Sequence, residues 1–209
     1  MIFTSEMIDK LRECVSSGMS EWRFTHTAEV EKMAVRLGQL YAPEKIPMLR
    51  AAALLHDITK EKSFDEQIEI LLSHGAAVTD FDRMSPKTLH ARTAELVIKD
   101  EYPDFADGEL LSAVRKHTTG AEDMTVCEAI IYLADYIDMS RKFPDCVYLR
   151  EYFWGAEPEK MSESERLRHL WQTLLISFDM TLKSLVDERS PISTETVSAR
   201  NAILLRLEQ

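Results

Sequence analysis

The most unusual chemistry in the sequence is an adjacent histidine and aspartate, His56-Asp57, directly after the apolar run at residues 51–55. The run has the composition of a buried helix, so it carries an imidazole and a carboxylate toward the interior. Burying one neutral polar group without a partner costs roughly 2–7 kcal/mol, and burying a charge costs more. A metal ion satisfies both side chains at once. Because adjacent residues of a helix point about 100° apart, the remaining ligands must come from other helices.

Candidate partners for this pair are other histidines and acids on apolar helical stripes. His26 lies four residues before Val30 on the stripe of one predicted helix, and Asp135 lies within the run 129–137, which is apolar on all sides. An unpaired buried carboxylate would keep its proton, whereas a divalent ion keeps it ionised. Taken singly, each histidine is more often a hydrogen-bonded core residue, but packing alone does not explain the set. The candidate metal ligands are His26, His56, Asp57 and Asp135.

The types of these ligands limit the metal and its chemistry. A mixed set of imidazole nitrogens and carboxylate oxygens suits octahedral iron, manganese or cobalt, and it lacks the thiolates of a structural zinc site. Three or four protein ligands leave coordination positions for water and substrate, where the ion lowers the pKa of water and polarises a phosphoryl oxygen. Two further histidines, His90 and His117, either bind a second ion or hold phosphate oxygens, and we favour the phosphate role. We therefore expect one or two ions per chain.

Several cationic and hydroxyl side chains follow these ligands at short spacing and suit phosphate binding. Lys60 comes three residues after the His-Asp pair, and Arg141 comes six residues after Asp135, where a guanidinium can form two hydrogen bonds with phosphate. Thr118 offers a hydroxyl beside His117, and Arg23 lies one turn before His26. The alternatives are a solvated lysine for Lys60, a surface ion pair for Arg141 and the C-terminal turn of a helix for Thr118.

The composition is that of a globular protein. A chain of 209 residues with 45% hydrophobic and 29% charged residues can bury a core. Its net charge of −11 argues against nucleic-acid binding, which needs a basic surface. An acidic protein still binds a polyphosphate where a metal ion and local cations make the contacts. Three cysteines without a pairing pattern, the lack of an apolar run near about 18 residues and the lack of a signal peptide predict a cytoplasmic protein without a membrane span.

Helical periodicity extends along nearly the whole chain, and no segment has the alternation of a strand. Capping-box pairs, in which a Ser or Thr precedes a Glu by three residues, mark helix starts at Ser63, Thr125 and Ser162. We expect a loop at residues 76–86. The polar residues expected at the surface include Glu31, His74 and His169. The pattern predicts an all-α bundle of about nine or ten helices.

These motifs resemble those of the HD-domain metal-dependent phosphohydrolases, and most closely those of the YqeK group. The histidine–aspartate pair alone is a weak signal. The resemblance becomes specific through HTTG at residues 117–120, Ala-Asp at 134–135 and RKFP at 141–144. Residues 138–140 depart from the family pattern, because Asp-Met-Ser stands in place of a Glu-Pro-Asn-like stretch.

The resemblance covers about residues 20–155. It implies an HD-domain helical bundle in a single domain, 1–209, with a core at about 20–155 and a C-terminal helical extension at about 156–209. It also implies a homodimer.

The activity implied by the resemblance is that of a symmetrical bis(5′-nucleosyl)-tetraphosphatase, which uses iron and cuts diadenosine tetraphosphate at its middle into two ADP. Its implied metal ligands are His26, His56, Asp57 and Asp135. Its implied nucleotide contacts are His26, Asp57, His90, His117, Thr118, Asp135 and Arg141. We assign catalytic roles to Asp57, Lys60, His90 and His117.

Competing functions share parts of this pattern. Another HD hydrolase, acting on a deoxynucleoside monophosphate or triphosphate or on a guanosine alarmone, would share the metal ligands but would need neither HTTG nor Arg141. A nucleotide-binding regulator without turnover is disfavoured, because every ligand position is filled. A purely structural bundle would leave His56-Asp57 and Asp135 without a purpose.

Overall fold

The computed structural model describes residues 3–208 and contains, within that range, eleven α-helices and four short 3-10 helices but no β-strand. The α-helices are α1 (Ser5–Ser17), α2 (Glu21–Tyr41), α3 (Ile46–Leu55), α4 (Phe64–Ser73), α5 (Asp80–Met84), α6 (Leu89–Glu101), α7 (Gly108–Lys116), α8 (Val126–Ile137), α9 (Pro144–Gly155), α10 (Glu163–Asp187) and α11 (Thr194–Leu207). The 3-10 helices are Pro43–Lys45, Pro86–Thr88, Pro103–Phe105 and Pro158–Lys160. The predicted all-α class is confirmed. None of the helices described between residues 3 and 208 combines the length and the apolar character that crossing a bilayer requires.

Local capping chemistry explains where most of the helices begin. The three capping boxes predicted from the sequence are present at the starts of α4, α8 and α10. The additional helix is α5, which lies inside the segment 76–86 that was expected to be a loop. Thr79 and Asp82 form a fourth capping box there, with an aspartate in place of the usual glutamate. This shorter acid is why the start signal of α5 was missed.

The centre of the bundle is α8, whose residues 127–134 are all buried. Helix α2 packs against α3 and α8, and α7 packs against α3, α6 and α8. The small side chains at 51–53 of α3 are fully buried and allow close approach of its neighbours. The consequence is that the end of α3, the start of α6, the end of α7 and the last turn of α8 lie near one another, beside the first turns of α2.

A buried carboxylate joins the first three helices. Glu31 of α2 was expected to face solvent, but only 1% of the residue is exposed. Its carboxylate pairs with Arg12 of α1 at 2.5 Å and with Arg50 of α3 at 2.8 Å. The two guanidinium groups offset the cost of burying the acid. The sequence interpretation of Glu31 was wrong because its partners belong to other helices.

The C-terminal helices are packed onto the same core, since α10 contacts α8, α9 and α11. His169 of α10 was expected at the surface but is buried, and its Nε2 lies 3.0 Å from the carbonyl oxygen of Phe153. Gly120, just after α7, has a φ of 67° and lies against α10 and α11. A Cβ at Gly120 would lie 2.5 Å from the ring of Phe178 and 2.9 Å from Cβ of Ala199. The HTTG segment is thus held by the C-terminal helices.

Replacing Glu31 tests how the buried carboxylate holds α1, α2 and α3 together. We expect Glu31→Gln to lower the free energy of unfolding by about 2–3 kcal/mol, because two arginines lose their carboxylate while remaining partly buried. Urea denaturation of both proteins measures the change. The matched control is Glu29→Gln on the same helix, whose partner Lys32 is exposed, and its effect should stay below about 1 kcal/mol. Equal effects for the two variants would contradict a special role of Glu31.

Candidate metal centre

The four candidate metal ligands come together in the interior. His26 of α2 has its Nε2 3.0 Å from Oδ1 of Asp135 on α8, and 3.7 Å from Oδ2 of Asp57. His56 is the C-cap of α3, and its Nε2 lies 3.5 Å from Oδ2 of Asp57 and 3.8 Å from Oδ1 of Asp135. Residues on or directly after α2, α3 and α8 therefore supply one compact set of imidazole nitrogens and carboxylate oxygens.

A backbone hydrogen bond decides which nitrogen of His56 faces this set. Its Nδ1 lies 2.6 Å from the carbonyl oxygen of Ala53, so Nδ1 carries the hydrogen and Nε2 keeps its lone pair. This Nε2 is buried and has no hydrogen-bond partner within the described part of the chain. A buried lone pair beside two carboxylates is the environment that a divalent cation satisfies, so the residues present fit a metal ion. The groups close enough to share an ion are His26, His56 and Asp57; His56, His117 and Asp135; and Asp57, His90 and His117.

The two other histidines extend the cluster through the second oxygen of Asp57. His117 directly follows α7, and its Nδ1 donates to the carbonyl oxygen of Val114 at 2.6 Å. The Nε2 atoms of His90 and His117 are 3.0 Å apart, and His90 Nε2 is 3.1 Å from Oδ1 of Asp57. Thr118 Oγ1 lies within 3.3 Å of both of these nitrogens. Oδ2 of Asp57 thus faces His26 and His56, and its Oδ1 faces His90 and His117.

Two arginines neutralise the carboxylates from outside the cluster. Arg23, one turn before the first histidine on α2, places its Nη1 2.6 Å from Oδ2 of Asp57. Arg141 donates to both the carboxylate and the backbone carbonyl of Asp135. Burial alone would raise the pKa of each acid, but the surrounding imidazoles and cations lower both pKa values well below the usual range. Both acids are therefore ionised at neutral pH.

Asp138 is a residue of this site that the sequence analysis did not identify. It is fully buried, its Oδ2 lies 3.3 Å from Nδ1 of His26, and its Oδ1 accepts a hydrogen bond from the backbone N–H of Ser140 at 2.7 Å. The carboxylate of Asp138 lies on the Nδ1 side of the His26 ring, where it favours a proton on Nδ1 and leaves Nε2 facing the cluster. The available signal was the aspartate at position 138 itself, since the corresponding stretch of the family pattern also begins with an acidic residue.

The pKa values of the basic groups in the cluster differ widely. Burial by itself lowers the pKa of His26, but hydrogen bonds with Asp135 and Asp138 outweigh it and raise the pKa to about 9. Burial instead dominates at His117, where it lowers the pKa to about 3. Burial also lowers the pKa of Lys60. Without a metal ion, the cluster therefore holds its imidazolium proton on His26 at neutral pH, and His117 is neutral.

A cavity of about 530 Å³ opens onto the cluster, a volume within the usual range of about 300–1,000 Å³ for small-molecule sites. Its walls combine cationic and hydroxyl groups with the aromatic rings of Tyr132 and Tyr136. Nζ of Lys60 lies 3.1 Å from Nδ1 of His90 in this wall. The candidate site residues that line the cavity are Lys60, His90, His117, Thr118, Asp135 and Arg141. All candidate site residues from the sequence therefore lie in the cluster or in the wall of this cavity.

We expect metal binding to displace the proton of His26. Below about pH 9 the metal-free protein holds that proton, and a ligating imidazole must lose it. Binding of Mn²⁺ near pH 7.5 should release about one proton per ion, and affinity should rise about tenfold per pH unit until about pH 9, where the imidazole is already neutral. Calorimetric titrations in buffers of different ionisation enthalpy count the protons.

Two variants sharpen this test. Asp138→Asn removes one of the hydrogen bonds that raise the pKa of His26, so the pH range of proton release should move downward. His74→Gln changes a histidine that pairs with Asp100 outside the cluster, and it should leave the proton count as in the wild type. Binding near pH 7.5 without proton release would contradict a protonated His26.

Comparisons with known proteins agree with this geometry. The HD-domain family model matches residues 23–140, more than half of the chain. Symmetrical bis(5′-nucleosyl)-tetraphosphatases from Halalkalibacterium halodurans and Bacillus subtilis are each 28% identical to the chain, over 94% and 90% of its length and 96% and 92% of theirs. The crystal structure of a predicted HD superfamily hydrolase involved in NAD metabolism, from Clostridium acetobutylicum, is similar with a TM-score of 0.80. It is 31% identical, and the match covers 95% of this chain and 97% of that chain.

The match to the family model and the structural likeness have different extents. The family model spans the four candidate ligands His26, His56, Asp57 and Asp135. The structural likeness covers nearly the whole chain, including most of the C-terminal helices. The resemblance inferred from the motifs is confirmed, and the chain belongs to the HD-domain family.

Proposed function

We propose that this protein is a metal-dependent phosphohydrolase that cuts diadenosine tetraphosphate at its middle and releases two ADP. The observation that carries the proposal is the unpaired, buried Nε2 of His56, placed among carboxylates and beside a cavity with cationic walls. Such a site combines ligands for a metal ion with groups that attract a polyphosphate. Relatives named as symmetrical tetraphosphatases align with nearly the whole chain, which supports this substrate class.

The residues proposed to hold the metal are His26, His56, Asp57 and Asp135. Iron is the proposed resident ion, and manganese and cobalt suit the same mixed nitrogen and oxygen ligands. When bound there, a divalent ion lowers the pKa of a water molecule and polarises a phosphoryl oxygen. Asp138 and the Ala53 carbonyl hold the two imidazoles in the orientation that ligation requires.

Lys60 and Arg141 are proposed to stabilise the negative charge that develops on the leaving diphosphate. The guanidinium of Arg141 is anchored on Asp135, so its position is set before substrate binds. Lys60 is half-buried against His90, where the surroundings screen its charge less than water would. Preorganised charges of this kind act without reorganisation during the reaction.

The other polar groups of the cavity divide by hydrogen-bonding capacity. Nδ1 of His117 donates to the carbonyl oxygen of Val114, and Nδ1 of His90 lies 2.9 Å from the carbonyl oxygen of Lys87. In the neutral form both Nε2 atoms are therefore acceptors, which suit a metal ion better than a phosphate oxygen. These tautomers favour the second-ion role for both histidines over the phosphate role expected from the sequence, and Thr118 remains the proposed phosphate contact in this wall.

The substrate class is tested by product analysis of the metal-loaded protein. Diadenosine tetraphosphate should give two ADP, measured by ion-exchange chromatography, and treatment with a chelator should abolish the reaction until Fe²⁺, Mn²⁺ or Co²⁺ is added back. Formation of ATP and AMP would contradict the symmetrical cut, and activity after complete metal removal would contradict the metal-dependent mechanism. Preferred turnover of a deoxynucleotide or a guanosine alarmone in the same assay would support the alternative HD hydrolase.

Replacing one ligand should remove metal and activity together. We expect Asp135→Asn to lower turnover by more than about 100-fold, the upper effect of changes to groups that only orient metal ligands. Metal analysis of the purified variant should show a parallel loss of bound ion. The matched control is Asp100→Asn, which changes an exposed carboxylate paired with His74, and it should keep both properties. Full turnover in Asp135→Asn would contradict its role.

A further inference from the structure

A second cavity, of about 730 Å³, reaches the metal-binding cluster from a different set of residues. It touches the cluster at His26 and Asp57, whereas the first cavity touches it at His90, His117 and Asp135. The two cavities meet along walls that they share. The shared residues are Lys60, Arg141, Phe143 and Pro144. The cluster is therefore accessible from two adjoining compartments.

The second cavity has two aromatic side chains that are largely exposed. Trp22 in the first turn of α2 is 71% exposed, and Phe143 at the N-cap of α9 is 67% exposed. Large aromatic rings are favourable to bury, so their exposure at the mouth of a cavity indicates a binding surface. Every nucleobase has a π-face that stacks on such rings. Neither Trp22 nor Phe143 is a candidate metal ligand.

Arg23 connects the indole of Trp22 to the cluster. Its guanidinium lies over the Trp22 ring, 4.7 Å from the ring centroid, while its Nη1 bonds Asp57 at 2.6 Å. One face of the indole is thus covered by a side chain that is itself held by a candidate metal ligand. This arrangement positions the indole relative to the cluster and leaves its other face for a ligand.

The charges around the second cavity suit a phosphate chain. Four cationic side chains line it, and the carboxylate among its lining residues is that of Asp57, which already belongs to the cluster. The four cations are Arg23, Lys60, Arg141 and Lys142. Arg23 and Arg141 already offset the carboxylates of Asp57 and Asp135, so Lys60 and Lys142 supply the positive charge that favours a polyanion, in a chain whose net charge is −11.

We propose that the second cavity binds one nucleoside diphosphate half of the substrate, with its base stacked on Trp22. This inference rests on the proposed function, because the other half would occupy the first cavity. Lys60 and Arg141 lie where the two cavities meet, so they would contact the central phosphates. Each half of the substrate then has an aromatic wall and a set of cations, which makes the middle of the tetraphosphate the point nearest the cluster.

A comparison of two substrates tests the proposal in the metal-loaded protein. Diadenosine tetraphosphate has two bases, whereas adenosine 5′-tetraphosphate has one. Stacking on an aromatic side chain changes affinity about 5- to 150-fold per base. We therefore expect Trp22→Ala to lower the ratio of kcat/KM for the two-base substrate to that for the one-base substrate about tenfold or more. Trp22→Phe should keep the ratio within about threefold of the wild type, because a smaller ring still stacks.

Binding of ADP supplies a measurement that does not depend on turnover. Calorimetry should find two ADP per chain in the metal-loaded wild type and one in Trp22→Ala. The matched control is Tyr148→Ala, an aromatic side chain that is 54% exposed and lines neither cavity. This control should match the wild type in both assays.

Two kinds of failure are distinguishable. Wild-type protein that cuts diadenosine tetraphosphate to two ADP, together with an unchanged substrate ratio in Trp22→Ala, would overturn the role of Trp22 and leave the proposed function intact. One ADP per chain in both proteins would likewise overturn the second site. Wild-type protein that cuts no dinucleoside tetraphosphate would refute the proposed function and this inference with it.

Discussion

Two carboxylates that stay ionised inside an apolar bundle are the constraint on which the rest of the structure depends. Asp57 loses nearly all and Asp135 most of its hydration when α3 and α8 pack, at a cost of several kcal/mol per ion. Arg23 and Arg141 each place a guanidinium on one of them, and imidazoles of His90 and His26 contact Oδ1 of Asp57 and Oδ1 of Asp135. The ends of several helices converge because this polar centre needs partners from all of them. The same convergence brings the candidate ligand atoms within 4.8 Å of one another in three groups.

The C-terminal helices take part in this centre although they supply none of its candidate ligands. Thr119 donates to Glu195 of α11 at 2.8 Å, and Arg115 of α7 pairs with the same carboxylate at 3.0 Å. Gly120 packs under Phe178 of α10 in a space where a Cβ would collide. The turn that carries His117 and the Thr118 hydroxyl is therefore supported by contacts with α10 and α11. A region that the motifs described only as a helical tail thus positions one wall of the first cavity.

Sequence reasoning found the candidate ligands because each of them violates an apolar pattern. An acid such as Asp135 in a helix that is apolar all round must have a partner, and the pattern shows the violation without showing the partner. The same reasoning failed for Glu31 and His169, which lie on mixed faces where a polar residue violates nothing. It also missed Asp138, because a carboxylate just past the end of a helix resembles an ordinary solvated residue. In each case the compensating group comes from another segment of the chain, and helical periodicity carries no information about that segment.

By itself, the sequence determined the all-α class, the starts of the capped helices and the set of polar side chains that had to be satisfied in the interior. These properties depend on local hydrogen bonds and on the direction of a residue around its own helix axis. Only the tertiary structure decided that Asp57 divides its two oxygens between two histidine groups, that His56 keeps a free buried lone pair, and that two cavities share Lys60 and Arg141. Those features depend on the relative positions of several helix axes, which packing of the whole core sets and which no single segment encodes.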